Sequence, residues 1–408
     1  MIFLEDSKFS DSRNNNNFHE LASNILEYKS PEIYANSKTE GDGRKMRRLL
    51  EHNDFSVDIV NSELLHKERI KLCSGANYIP IDGSEMRKSN SKKMEDLMKV
   101  RDLKGKLVNG YRTVNAILIQ KNKVQLLSTV PYSSNADDFR SENTITFNLM
   151  DNINKSIDKG DNHITYLLDS KYDDQKYFER ITKENDFFIT RVKHLNRKVI
   201  DNRGKSRNLV DLKYRKVGTV EYETIFVAGK KYKNVRAHFS YASILYNEQK
   251  LTVINIELRN GKGDNLFDKP FYIITNITYS RFSKDRIIRI YNAYLKRWKI
   301  ELVFKFLKNN LGWEKFGLKS YKANKNLIAM TFMVAAYLYE IEDVDVDEQV
   351  ISYLAYIGRG KGKVSKKYIL QGIEKIITVN RTIESLKENY TEEEIDEIHK
   401  ALKVERMF

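Results

Sequence analysis

Four residues of one stretch combine the side chains that suit work on a phosphate: Tyr294, Arg297, Glu301 and Lys308. Read as a helix over residues 284–310 at about 100° per residue, they fall near roughly 0°, −60°, −20° and −40°, a polar stripe roughly 60° wide. Leu295, Ile300, Leu302, Val303, Phe306 and Leu307 fill the other side as a core-facing surface. An arginine can fork onto a phosphate and a lysine supplies a point charge beside it. A carboxylate between them is a hard oxygen ligand for a divalent ion. From spacing alone, a surface stripe with i,i+4 and i,i+7 charge support is the competing reading.

Two more carboxylates close short apolar runs upstream. Tyr78-Ile79-Pro80-Ile81 leads into Asp82-Gly83, and the nearly all-apolar run at residues 164–168 leads into Asp169. Asp-Gly after a strand is also a turn signal. In sheets covered on both faces, however, the carboxyl ends of strands are where ligands bind. Two such acids and a helical glutamate, brought together, would suit a pair of Mg²⁺ or Mn²⁺ ions about 4 Å apart and phosphodiester displacement.

The elements around these residues follow from periodicity. Residues 114–119 and 124–130 form strands about a hairpin at Lys121-Asn122-Lys123, and residues 141–158 an amphipathic helix. Asp173 and Asp174 open another helix, and residues 187–190 a strand. Residues 195–268 alternate with period two: Val210, Leu212 and Tyr214 on one face, then Ala237, Phe239 and Tyr241, then Ile254, Ile256 and Leu258. Gly204, Gly218, Gly229 and the Gly261–Asp264 cluster mark the turns. Lys213, Arg215, Lys230, Lys231, Lys233 and Arg236 line the open face, tracking a nucleic-acid backbone or simply solvated. Pro270 ends this segment, residues 271–277 return as a strand, and Ser283 caps the central helix.

Residues 1–76 read as helical, with helices at 18–28, 45–51 and 57–71 and a polar run at Asn14–Asn17 as loop or helix lead-in. Arg44, Arg47 and Arg48 lie within two turns; phosphate contact and a solvated face are the two readings. Beyond the central helix, residues 324–341 form an apolar helix, Gly358–Lys363 a basic turn without phosphate-loop spacing, and residues 366–377 and 391–404 further helices.

A formal net charge of +15 favours a polyanionic partner, nucleic acid first and an anionic membrane second. The longest apolar run, residues 327–339, is too short to span a bilayer. The start, Met1 to Asp6, lacks a secretory pattern, and Cys73 stands alone. Intrachain disulfides and cysteine zinc sites are thereby excluded, and a reducing cytoplasm is expected.

The stripe reads Tyr-x2-Arg-x3-Glu-x6-Lys, with Trp298 and Ile300 inside it. It resembles the signature of cut-and-paste transposases of bacterial insertion-sequence family four, within the wider Asp-Asp-Glu (DDE) group. The resemblance covers roughly residues 44–320 and implies an α/β fold with an RNase H-like catalytic core, a β-strand-rich insertion, and helical N- and C-terminal regions. Residues 1–76 would be a DNA-binding region, 77–194 and 269–318 the two parts of the core, 195–268 the insertion and 319–408 a helical tail. By the same resemblance Asp82, Asp169 and Glu301 are the catalytic, metal-binding acids, with two Mg²⁺ ions expected and Mn²⁺ able to substitute. Tyr294, Arg297, Lys308 and Trp298, with Arg44, Arg47 and Arg48, would contact DNA, although packing competes for Trp298. The family often has Asp-Arg-Gly at the second acid. Here Asp169-Ser170-Lys171-Tyr172-Asp173 keeps a cation at Lys171 and leaves Asp173 and Asp174 as alternatives. The insertion has no tryptophan, so a base-holding aromatic is unassigned. The implied partners are double-stranded DNA, at terminal inverted repeats and target, and a second copy of the chain in a synaptic dimer. The implied location is the bacterial nucleoid. A nuclease or resolvase without strand transfer, and a non-catalytic DNA-binding relative, remain the alternatives.

Overall fold

The computed structural model describes residues 11–66, 70–121, 123–227, 230–279, 282–341, 348–360, 363–391 and 393–395. Four helices come first: α1 (Ser12–Tyr28), α2 (Ile33–Asn36), α3 (Glu40–Glu51) and α4 (Val57–Leu64). Next are β1 (Asn77–Arg87), β2 (Met98–Arg101), β3 (Leu107–Gln120), β4 (Lys123–Tyr132), α5 (Glu142–Ser156), β5 (Ile164–Leu168), α6 (Gln175–Lys183) and β6 (Phe187–Arg191). The strands β7 (Lys198–Asp201), β8 (Ser206–Asn208), β9 (Arg215–Val227), β10 (Lys230–Tyr246), β11 (Gln249–Arg259) and β12 (Phe271–Thr275) follow. The chain then runs through α7 (Lys284–Leu295), α8 (Lys299–Asn310), α9 (Tyr321–Ile341), α10 (Glu348–Ile357) and α11 (Lys366–Asn389).

The described strands make one twelve-stranded sheet. At its centre β4, β3 and β1 run antiparallel, β5 lies parallel to β1, and β6 lies parallel to β5. That order, with the helices α5 and α6 on one face and α7 and α8 on the other, is the RNase H-like arrangement. Beyond β6 the sheet continues antiparallel through β12, β11 and β10, with β7 and β9 both pairing with β10. The inserted strands therefore extend the core sheet. On β11 both faces are covered at first, Leu251 and Val253 on one side and Ile254 on the other, and burial alternates only from Ile254 through Ile256 to Leu258.

Three apolar clusters hold this together. α5 and α6 bury Leu149, Ile153, Phe178 and Ile181 against Tyr166, Leu168 and Phe188. α7 buries Ile287, Ile290 and Tyr291 against Leu167, Ile189, Ile254 and Ile273 on the opposite face. The third cluster wraps α9 with α1, α3, α4, α8 and α11. Within it Asn326 donates to the carbonyls of Leu50 and Phe55 at 2.8 and 2.9 Å. α4 is also tied to the sheet, where Asn61 exchanges hydrogen bonds of 2.9 Å with the backbone of Thr129. No helix among the described residues is long and apolar enough to cross a membrane.

Several expectations need correction. The strand carrying Asp82 does not stop there: pairing with β3 carries β1 on to Arg87, so Asp82-Gly83 is no turn. The helix expected over 284–310 is two helices joined by a short 3₁₀ turn, Lys296–Trp298. Leu302, assigned to the core face, is about half exposed. Residues 209–211 form a 3₁₀ turn rather than a strand, because Leu209 and Val210 donate their N–H groups to Arg197 and Leu195. Gly218 lies within β9, not in a turn, next to a register shift against Phe239 and Ser240. The Asn14–Asn17 run is helical. Gly229, the side chain of Lys230 and most of residues 391–404 lie outside the described residues.

Trp313 tests the third cluster. It is fully buried between Phe304 and Phe332 and donates Nε1–H to the Ile328 carbonyl at 3.0 Å. Trp313→Ala should cost about 3–5 kcal/mol in denaturant unfolding; a loss below about 1 kcal/mol would place the stabilising contacts elsewhere. Lys88 gives a pH signature. Burial, opposed by Glu32 and Glu314, pushes its ammonium down to about 8, over the ring of Phe316. The unfolded chain then holds more protons than the folded one above that pH. Between about pH 8 and the ordinary lysine value of 10.5 the wild type should therefore gain stability relative to Lys88→Met as pH rises. Parallel pH curves for the two proteins would contradict this.

Candidate active site

The site starts from a split in strand pairing. β1 and β5 run side by side up to the pair Ile81 and Leu168, so Asp82 and Asp169 are the residues that follow immediately on the two neighbouring chains. Beyond that point β1 stays with β3, while the chain after Leu168 turns into a 3₁₀ helix, Ser170–Tyr172. Ligands in open α/β sheets bind where neighbouring strands part in this way, at their carboxyl ends.

Polar contacts fix the strand beneath. Asn115, fully buried across from Asp82, donates to the Asp82 carbonyl at 3.2 Å and to Thr113 Oγ1 at 2.8 Å, and accepts from Thr129 Oγ1 at 2.8 Å. The Gly83 N–H donates to Asp82 Oδ1 at 2.8 Å and pins the carboxylate. Thr190 Oγ1 donates to the Asp169 carbonyl at 3.1 Å.

Glu301 reaches these acids from the helix side. Ile300, Val303 and Leu307 are buried and press α8 down, while α7 is held by Ile287 and Ile290. The 3₁₀ turn between them aims Arg297 at the sheet. Its Nη1 donates to Asp82 Oδ2 and its Nη2 to Glu301 Oε1, both at 2.8 Å. One guanidinium thus joins two of the three acids. Burial raises Asp82 above the ordinary carboxylate range, opposed by Lys171 and Arg297 and helped by Asp169. Burial also raises Glu301, opposed by Arg297, with Asp82 and Asp169 adding to the rise. The three acids therefore share one field. Among the described residues, though, no three His, Cys, Asp or Glu side chains close into a group that could hold one metal ion.

The other stripe residues surround this centre. Tyr294 is buried against Phe271, and burial pushes its phenol up to about 12. Trp298 is half-buried in the 3₁₀ turn. Lys308, two turns beyond Glu301, donates to the Glu85 carbonyl at 2.7 Å and to Glu314 at 3.2 Å. Its burial lowers its pKa, opposed by Glu314. The stripe is thus turned toward the sheet, so the surface reading does not hold for Arg297 and Lys308.

The alternative acids have other work. Asp173 is buried, accepts from the backbone N–H groups of Lys193 and His194, and faces Arg197 at 2.8 Å as an ion pair poorly aligned for a hydrogen bond. Asp174 caps α6 by accepting from the Lys176 N–H at 2.9 Å. Arg44 and Arg47 lie exposed on α3, where they pair with Glu40 and Glu51; Arg48 is exposed on the same helix.

Sequence reading missed a cavity of about 390 Å³ beside Asp82, lined by Gly83, Arg87, Arg112, Glu142, Lys171 and Lys308 among others. In the sequence Lys171 and Lys308 stand out by charge, Gly83 as a turn residue, and Glu85 and Arg87 by following Asp82 closely. Strand register carries the missing signal, since Glu85 pairs with Arg112 and Ser84 with Thr113 across β1 and β3.

A family model described as a transposase DDE domain matches residues 75–337, more than half of the chain. No curated protein matches it. Among solved structures, one described as a cryo-EM structure of a piggyBac transposase synaptic complex with hairpin DNA is 9% identical. Its TM-score is 0.49, over 100% of this chain and 80% of that one. The matched span runs from just before β1 into α9 and takes in both strand acids, the inserted strands and the helix of Glu301, and on that match the chain belongs to the transposase DDE domain family.

Proposed function

We propose that the chain is a cut-and-paste transposase of the insertion-sequence family-four kind, cleaving DNA at the ends of a mobile element and joining those ends to a target. The observation that carries this is the side-by-side placement of Asp82 and Asp169, with Arg297 linking Asp82 to Glu301. The donor chemistry suits a hard divalent ion, because all three groups are carboxylates. The guanidinium between two of them supports a site that accommodates positive charge. Asp82, Asp169 and Glu301 are the residues that would hold Mg²⁺, or Mn²⁺ in its place. Such ions, when bound, activate the attacking oxygen and stabilise the leaving one.

The chain's own groups do the rest. Arg297 carries donors in a planar fork and exchanges a carboxylate for a phosphate oxygen with little change in geometry. Lys308 presents its ammonium two turns farther along α8. Tyr294, protonated at neutral pH, is a neutral donor against the strand. Trp298, Arg44, Arg47 and Arg48 extend the surface available to duplex DNA, and two copies of the chain would bring two element ends together.

Glu301→Gln removes one acid charge while keeping the shape. It should lower divalent-ion-dependent cleavage of a DNA end by at least about a hundredfold, with binding of the same DNA changed less than about threefold. Equal cleavage by variant and wild type would end the assignment. Lys308→Ala should weaken binding to DNA and lower the slope of log affinity against log salt by about 0.9, the share of one phosphate contact. A salt slope identical to that of the wild type would remove Lys308 from the interface.

A further inference from the structure

The cavity beside Asp82 has no role in the reading above, yet its construction is specific. Gly83 forms its floor. A Cβ there would come within 2.8 Å of Lys171 Nζ and 3.1 Å of the Thr113 carbonyl, so the glycine leaves the lysine room to cross the strand. Lys171 then lies 3.0 Å from Glu142 and 3.7 Å from Asp82. Glu142 also accepts from the Tyr132 hydroxyl at 2.8 Å, fixing the far wall. On the opposite side Arg112 meets Glu85 at 3.5 Å, the outer limit of a hydrogen bond. Arg87 meets Glu85 and Glu314 at 3.8 and 3.6 Å, and Lys308 completes the rim.

Four cations and two acids line this space, with Asp82 and Glu314 behind them against Lys171, Arg87 and Lys308. The contact of Arg112 to Glu85 is long enough for its guanidinium to favour a better acceptor, whereas Arg87 also donates Nε–H to the Arg101 carbonyl at 2.9 Å and keeps its terminal nitrogens in long contacts. A volume of about 390 Å³ lies at the small end of ligand pockets, the size of one nucleotide and far below that of a duplex. The cavity also shares Lys171 with Asp82, which places its occupant directly beside the acids.

We propose that this cavity is a nucleotide subsite: it receives one nucleotide of the DNA strand next to the bond that is cut, held through its phosphate by Arg112, Arg87 and Lys308, with Lys171 and Glu142 facing its sugar and base. The assignment of this occupant to a DNA strand rests on the transposase reading above. The subsite would set which residue of the strand lies in register with the acids, because a phosphate seated between Arg112 and Lys308 fixes the next phosphate along the chain.

Thymidine 3′,5′-bisphosphate, titrated calorimetrically into the full chain without divalent ions, tests this directly. The wild type should bind it, and Arg112→Gln should weaken binding by about tenfold or more, as expected for loss of a charge-assisted contact. Lys250→Gln, which removes the same charge at the exposed β10–β11 hairpin, should bind as the wild type does. Thymidine without phosphates should not compete. Arg87→Gln serves as a second pocket variant if Arg112→Gln unfolds. No binding by the wild type, or the same affinity in the pocket variants as in Lys250→Gln, would overturn the subsite. The two readings fail separately. Bisphosphate binding lost in Arg112→Gln, in a protein whose DNA cleavage does not depend on Glu301, would uphold the pocket and discard the transposase mechanism. Glu301-dependent cleavage with bisphosphate affinity unchanged in the pocket variants would discard the pocket alone.

Discussion

One electrostatic problem governs this fold: three carboxylates share a field at the carboxyl ends of inner strands of an apolar sheet. Burying even one ionised carboxylate without a partner is costly, and like charges nearby increase that cost. Arg297 answers this by placing its two terminal nitrogens 2.8 Å from Asp82 and Glu301. Lys171 supports Asp82 from the other side at 3.7 Å. Burial still raises both Asp82 and Glu301 against these cations, so the neutralisation is partial.

Everything around the acids serves to hold that unfavourable arrangement in place. The parallel pairing of β1 with β5 fixes Asp82 beside Asp169, and the antiparallel pairing of β1 with β3 keeps Asp82 from fraying once β5 has ended. The helix side is held by apolar burial through Ile300, Val303 and Leu307, and by polar contacts from Arg297 to Asp82 and from Lys308 to the Glu85 carbonyl. The 3₁₀ turn at Lys296–Trp298 matters for this reason. It resets the angular phase between α7 and α8, so that Tyr294 packs into the strand-facing core while Arg297 meets Asp82 and Glu301.

Much of this was legible in the residues, and the limits have physical causes. Asp82 and Asp169 could be found because each follows a short apolar run, and β11 because Ile254 and Ile256 keep their alternation. Local signals of that kind survive in one dimension. The continuation of β1 past Gly83 could not be seen, since it depends on a partner strand reaching Arg112 and Tyr111. The turn at Leu209 misled for the same reason: its alternating pattern is strand-like, but its N–H groups find Leu195 and Arg197 instead of a neighbouring strand. Leu302 misled because it is apolar but lies roughly 140–160° around α8 from the buried Ile300 and Leu307, at about 100° per residue. Arg87 is marked only by following Asp82 closely and Arg112 not at all, as the two converge only through sheet register.

The same non-local register links the acids to the cavity beside them. Each step along β1 past Asp82 adds a residue with a defined partner on β3: Gly83 opposite Val114, Ser84 opposite Thr113, Glu85 opposite Arg112. The strand that presents the acid therefore also builds the floor and one wall of the cavity, at a spacing of about 3.3 Å per residue. Lys308, held by the Glu85 carbonyl, ties the far end of α8 to that same strand. Acid, cavity and helix cannot shift independently. A displacement of β1 by one residue would turn Asp82 to the opposite face of the sheet and remove Arg297's partner together with the cavity floor. The length of β1 beyond Asp82, more than the identity of any single acid, is what gives this site a fixed geometry on the side where a strand would lie.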